Sequence, residues 1–139
     1  MKTVVLDASV FIAAVGSDDR FHEESRRFLL ALATEKRAVL VPAFAIVEVA
    51  CALSRMLRDA VMARKLTLQA MTAVRAKELP IDAAFLAQAT LSGTRDFLRG
   101  ADALYAAAAE MEKATLISWD NEHRTRAGAR TPTEWLSEL

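Results

Sequence analysis

The sequence holds 139 residues, 53% apolar and 26% charged, enough apolar content for one sizeable core and too much for a disordered chain. Its 18 Lys and Arg balance its 18 Asp and Glu, which excludes a strongly basic nucleic-acid-binding domain but not a local basic patch. Cys51 is the single cysteine, so an intramolecular disulfide and a thiolate zinc cluster are excluded; the flanking Val49, Ala50, Ala52 and Leu53 predict a small buried side chain there.

Met1-Lys2 leads directly into Thr3-Val4-Val5-Leu6, a β-branched run that reads as a buried parallel strand ending at Asp7. No charged leader and signal core can be drawn there. Ser9 is placed to cap a short helix from Val10 to about Val15, closed near Gly16. Phe21, Ser25, Phe28, Leu29 and Leu32 mark one face of a helix over 19–35. Ala38-Val39-Leu40-Val41 reads as a second strand closed by Pro42. A helix over 43–59 is apolar nearly all round in its first half, which predicts burial of that half. This longest apolar stretch, 38–53, contains Pro42 and Glu48 and falls short of the ~20 residues of a membrane helix, so a cytoplasmic protein is expected.

Another helix follows over 60–76, then Leu79-Pro80-Ile81 as a short edge strand, where proline is tolerated. The spacing predicts a helix over 83–91, a polar connection to Gly100, and an alanine-rich helix over 101–113. Thr115-Leu116-Ile117-Ser118-Trp119 reads as a strand ending at Asp120. Thr131-Pro132-Thr133-Glu134 carries a capping box with proline at the first helical position, opening a terminal helix packed by Trp135, Leu136 and Leu139. Strands alternating with helices predict one α/β domain over 1–139 with a mostly parallel sheet.

Four acids occupy informative places. Asp7 and Asp120 each end a strand, and open parallel sheets bind ligands beyond those ends, where strand order reverses. Each is equally a common turn residue. Glu48 lies in Ala45-Ile46-Val47-Glu48-Val49-Ala50-Cys51, without a polar neighbour, and burying a lone carboxylate costs several kcal/mol. A metal resolves that cost, as would solvent or an arginine such as Arg55 or Arg99. Asp102 opens the alanine-rich helix, where the helix dipole alone favours an acid. Together, four carboxylates in one crevice would repel by roughly 4 kcal/mol per pair at ~4 Å and an effective dielectric of ~20. Bound cations would offset that, and oxygen-only ligands favour Mg²⁺ or Mn²⁺.

Asp7-Ala8-Ser9 after the first strand, Glu48 in an apolar helix, Asp102 opening an alanine-rich helix and Asp120 ending a late strand resemble the PIN-domain nucleases. The ending Thr131-Pro132-Thr133-Glu134-Trp135-Leu136 is similar to that of the VapC-type toxins of toxin–antitoxin pairs. The resemblance spans essentially the whole chain. It implies a three-layer α/β/α sandwich and a Mg²⁺- or Mn²⁺-dependent endoribonuclease with Asp7, Glu48, Asp102 and Asp120 as catalytic and metal-binding residues. It also implies an RNA substrate, a cognate antitoxin and a homodimer. Ser9 matches a hydroxyl residue that supports the first acid in this family; Asn121 and Glu122 are candidates for contacts to metal-bound water. Pro42-Ala43-Phe44-Ala45 departs from the family pattern, which often places Ser or Thr shortly before the glutamate.

His123 reads as a solvent-exposed loop residue rather than a general base, and Trp119 as sheet packing rather than a base-stacking platform. Arg95, Arg99, Arg124, Arg126 and Arg130 fall in segments that should border the crevice, as phosphate contacts or as solvated side chains. The alternative to an enzyme is a non-catalytic interaction module of the same fold. An aspartyl-phosphate phosphatase is disfavoured because Ser9 stands where its second acid would be, and a receiver domain because the early acidic pair and late lysine are missing.

Overall fold

In a computed structural model, which describes residues 3–138, four parallel strands form one sheet in the order β3-β2-β1-β4. The strands are β1 (Val4–Leu6), β2 (Val39–Pro42), β3 (Lys77–Leu79) and β4 (Thr115–Ile117). β1 lies centrally, its Val4 in register with Val39 on one side and Thr115 on the other. Val4, Val5 and Leu6 are buried, as a strand covered on both faces requires. Helices α1 (Ala8–Val15) and α2 (His22–Glu35) connect β1 to β2, while α3 (Phe44–Leu57) and α4 (Ala60–Ala73) connect β2 to β3. α5 (Ala83–Arg95) and α6 (Gly100–Met111) carry the chain back across the sheet to β4, and α6 packs on β1, β2 and β4. Right-handed crossovers make that return journey cover the opposite sheet face. α7 (Asn121–Arg126) and α8 (Pro132–Ser137) complete the chain. The sandwich is the expected one, with α/β layering around a parallel sheet.

Several local expectations need correction. α5 runs four residues past Leu91, so Gly93 is a buried helical position and not part of a polar connection. A Cβ there would lie 2.7 Å from the Cβ of Ala103, so glycine is what lets α5 and α6 approach. β3 ends at Leu79, leaving Pro80 beyond the ladder that it cannot serve as a donor. α3 is not buried all round. Ala45, Val49 and Leu53 face the core at four-residue spacing, whereas Val47 is 56% exposed and Cys51 lies outward with it, contrary to the buried side chain expected. α7 escaped prediction because Asn121-Glu122-His123-Arg124-Thr125-Arg126 has no apolar period; Asp120 starts it by accepting from the Glu122 N–H at 2.8 Å.

The capping box at α8 is present, with the Glu134 N–H donating to Thr131 Oγ1 and the Thr131 N–H donating to Glu134 Oε1. Asp59 and Asp82 cap α4 and α5 in one direction only, accepting from the Met62 and Phe85 N–H groups. Among the described residues no helix is long and apolar enough to cross a membrane.

Candidate active site

The strand order reverses between β1 and β4, and the chain leaves both strands at the same edge of the sheet. Asp7 follows β1 directly; Ser118, Trp119 and Asp120 follow β4, so the strand ends two residues before the span predicted for it. The Asp7 N–H donates to the Ile117 carbonyl at 3.0 Å, which extends the pairing and sets the two exits side by side. Two serines then tie them together. Ser9 Oγ and Ser118 Oγ each donate to Asp7 Oδ2 at 2.7 Å. Ser9 Oγ accepts from the Trp119 N–H at 3.1 Å and Ser118 Oγ from the Asp120 N–H at 2.9 Å. One carboxylate oxygen thus holds its orientation through backbone amides of the neighbouring exit. Ser9 lies within α1, not at its cap: Asp7 occupies the cap position, without a side-chain capping bond. The hydroxyl serves the carboxylate instead of the helix end.

All four acids singled out in the sequence line one cavity of about 370 Å³, together with Ser9 and Arg99. Asp7 and Asp102 are buried, whereas Glu48 and Asp120 are partly so. α3 carries Glu48 on the flank of its core-facing stripe. Its Oε1 accepts a short hydrogen bond from the Tyr105 hydroxyl on α6, and neither Arg55 nor Arg99 pairs with it. Burial raises the Glu48 pKa above the ordinary 4.5; the Tyr105 hydroxyl pulls it down, and the Asp7 and Asp102 charges push it up. Tyr105 itself is held far above the usual phenol value, by burial first and then by its bond to Glu48. It therefore remains a donor at any ordinary pH.

Arg99, immediately before α6, reaches across the cavity mouth. Its Nε lies 2.9 Å from Asp102 Oδ2 and 3.4 Å from Glu122 Oε2, and an Nη nitrogen lies 3.2 Å from Asp120 Oδ2. Its pKa is raised, chiefly by the hydrogen bond to Asp102. Of the five arginines expected around the crevice, this one alone lines it, and it faces carboxylates. Arg95 is taken by Asp96 and Glu110, Arg130 by Glu138, and Arg124 lies 3.9 Å from Glu134. Arg126 donates to the Phe97 carbonyl at 2.8 Å.

His123 is fully buried, not a solvated loop residue: α7 turns it beneath the acids. Its Nε2 lies 3.2 Å from Asp102 Oδ1 and 3.8 Å from Asp7 Oδ1, and its ring meets Tyr105 edge-on. Sequence reasoning missed Tyr105, Ser118 and the burial of His123; for Tyr105 and Ser118 the cue available was a polar group in an otherwise apolar stretch, and for His123 there was none. Asn121 is exposed, and Glu122 faces Arg99.

Among the described residues, no trio of His, Cys, Asp or Glu is drawn close enough to ligate a single ion. Arg99 stands between Asp102 and Asp120, where a cation would otherwise sit. The donor set still fits Mg²⁺, which keeps several waters and takes only one or two carboxylates directly. Asp7 Oδ1 forms no hydrogen bond with the serines that hold Oδ2, and the crowded charges that raise the Glu48 pKa would be relieved by a dication.

The family model for the PIN domain matches residues 4–129. No curated protein matches the sequence. Among solved structures, the fold is similar to PAE2754 from Pyrobaculum aerophilum, with a TM-score of 0.74 and 19% identity, covering 99% of this chain and 88% of that one. It is similar to VapC20 of Mycobacterium tuberculosis, described as a Sarcin-Ricin loop cleaving toxin, with a TM-score of 0.71 and 17% identity over 88% of this chain and 93% of that one. A toxin-antitoxin complex from Klebsiella pneumoniae aligns with a TM-score of 0.69 and 15% identity over 93% and 97%. At these identities the likeness is one of fold.

Proposed function

This chain belongs to the PIN-domain family, and on that premise we propose that it is an endoribonuclease hydrolysing RNA phosphodiester bonds, the toxin of a toxin–antitoxin pair. Asp7, Glu48, Asp102 and Asp120 would hold Mg²⁺ or Mn²⁺. The observation that carries this reading is the convergence of these acids, from four separate segments, on one cavity at the point of strand reversal. The bound ion would supply an activated water and charge stabilisation at the phosphate.

The chain's own groups have distinct tasks. Ser9 and Ser118 fix Asp7 Oδ2, leaving the other oxygen outside that serine pair. Tyr105 fixes Glu48 and favours its ionised form. His123 Nε2 lies 3.2 Å from Asp102 Oδ1 without a hydrogen bond to it, and Arg99 balances the charge of Asp102 and Asp120 at the mouth. Exposed Val47 on α3 and Val61 and Leu68 on α4 offer apolar surface for a second copy or an antitoxin. The fold likeness to a toxin from a toxin–antitoxin complex supports that partner class.

The test is cleavage of RNA by purified protein with Mn²⁺, with EDTA and as Asp7→Asn. Cutting that needs Mn²⁺ and disappears in Asp7→Asn is expected; cutting that persists in Asp7→Asn refutes the mechanism. A second reading, a non-catalytic interaction module, draws on Arg99 already neutralising two of the acids. Calorimetry separates the two, since the module predicts no binding at millimolar Mn²⁺.

A further inference from the structure

The acidic cavity continues past Asp120. Ser9, Ile12 and Asp120 also border a second cavity of about 400 Å³, whose far wall is Arg20, Phe21 and Trp119. The Phe21 and Trp119 rings are stacked, with centroids 4.0 Å apart and planes 3° from parallel. The Arg20 guanidinium carbon lies 4.5 Å from the Phe21 centroid. One ring face cannot hold both neighbours at such separations, so the order is guanidinium, phenyl, indole. Trp119 keeps the packing against the core expected of it and also joins a three-tier stack beside the acids. Its indole N–H donates to Ser25 Oγ at 2.8 Å and its backbone N–H to Ser9 Oγ at 3.1 Å, which pins the platform. The Phe21 N–H donates to Asp19 Oδ1 at 2.8 Å, which fixes the turn carrying Phe21. Arg20, by contrast, is exposed and has no carboxylate partner among the described residues.

We propose that the Arg20–Phe21–Trp119 stack is a subsite for one unpaired base of the RNA strand, adjacent to the phosphodiester presented to the carboxylates. This rests on the RNA-cleaving reading above. Arg99 lines the acidic cavity but is held by carboxylates, and the acids themselves repel phosphate, so counterion release contributes little there. The strand needs an anchor that is not electrostatic, and stacking on aromatic and guanidinium planes is what single-stranded RNA bases offer. The base enters along the axis of the existing stack, against the guanidinium or in its place, and Arg20 is then free to meet a flanking phosphate. A base locked in a duplex cannot do this, so the subsite selects loops, bulges and single strands.

Trp119 reports on its own occupancy, because the only other tryptophan, Trp135, is 6% exposed against the edge of Phe28. In Asp7→Asn protein with Ca²⁺, a short single-stranded RNA of mixed sequence should quench the emission, and the same RNA annealed to its complement should not. Arg20→Ala and Phe21→Leu should each weaken binding of the single strand by about tenfold; Arg20→Ala alters an exposed side chain, so its result does not depend on refolding. Across a series of RNAs carrying one abasic nucleotide each, a single position should weaken binding to the parent protein and make no difference to Phe21→Leu. The proposal is overturned if RNA binds without changing the emission, or if abasic losses are the same in Phe21→Leu. RNA-dependent quenching in a protein that cuts nothing would refute the hydrolase and leave the subsite standing. Asp7-dependent cutting indifferent to both Arg20→Ala and Phe21→Leu would do the reverse.

Discussion

Gly93 and Gly100 sit seven residues apart at the two ends of the α5–α6 corner, yet alanine should act on them with opposite signs. A Cβ at Gly93 would stand 2.7 Å from Ala103 Cβ, so the two helices must part by at least 0.7 Å to regain ordinary contact at 3.4 Å. Neither methyl can rotate away, because each is fixed to its own backbone. Overpacking of this kind costs about 1–3 kcal/mol, against a helix-propensity gain of about 1 kcal/mol. Gly93→Ala should therefore lose up to about 2 kcal/mol, a fall in Tm of up to about 8 °C for a domain of this size. At Gly100 an added Cβ meets nothing within 4 Å, and Gly100→Ala should gain a few tenths to about 1 kcal/mol. Ala103 adjoins Asp102, so displacement of α6 should also weaken Mn²⁺ binding in Gly93→Ala. Thermal unfolding and calorimetry on both variants supply the readouts. Adding Ala103→Gly to Gly93→Ala should recover stability, with a coupling of about 1 kcal/mol or more. A Tm for Gly93→Ala above the parent value would refute the close packing of these helices.

Two further outcomes follow from the cavity. The folded Glu48 pKa lies above the unfolded value, so the folded protein binds the proton more tightly. That contribution is present below about pH 4.5 and is lost as pH rises through the folded pKa, so ionised Glu48 lowers stability at neutral pH. Glu48→Gln, which keeps an acceptor for Tyr105, should melt above the parent at pH 7 and alongside it at pH 4; a lower Tm at pH 7 would contradict the cost of burying this carboxylate beside Asp7 and Asp102. Arg99→Ala removes the cation bridging Asp102 and Asp120 and should tighten Mn²⁺ binding severalfold, measured by calorimetry without RNA. Weaker binding would mean that Arg99 organises the acids for the metal.

The sequence announced the layered fold through elements of unambiguous period: Val4-Val5-Leu6, the α2 stripe of Ser25, Phe28 and Leu32, and the Thr131 capping box. The four acids were visible because each breaks an apolar pattern or ends a strand. What holds them was not. Ser9 reads locally as a helix cap, and only the arrival of Ser118 from the far end of the chain makes it a carboxylate partner. His123 sits in a polar hexapeptide with no period to betray its burial, and Tyr105 looks like one more core aromatic until Glu48 faces it. Gly93 reads as a loop residue because the helix contact it permits lies on another element. In each case the deciding partner is remote in sequence, which local propensity does not record.

The placement of β4 beside β1 has a consequence for biosynthesis. The strand that delivers Asp120 is translated long after the one that delivers Asp7, several seconds later at ordinary elongation rates. A nascent chain emerging from the ribosome therefore displays an unfinished crevice, lacking Ser118 as well as the final acid. The cavity lined by all four acids is thus completed only once β4 has emerged and paired with β1, so a chain halted before that strand would lack it.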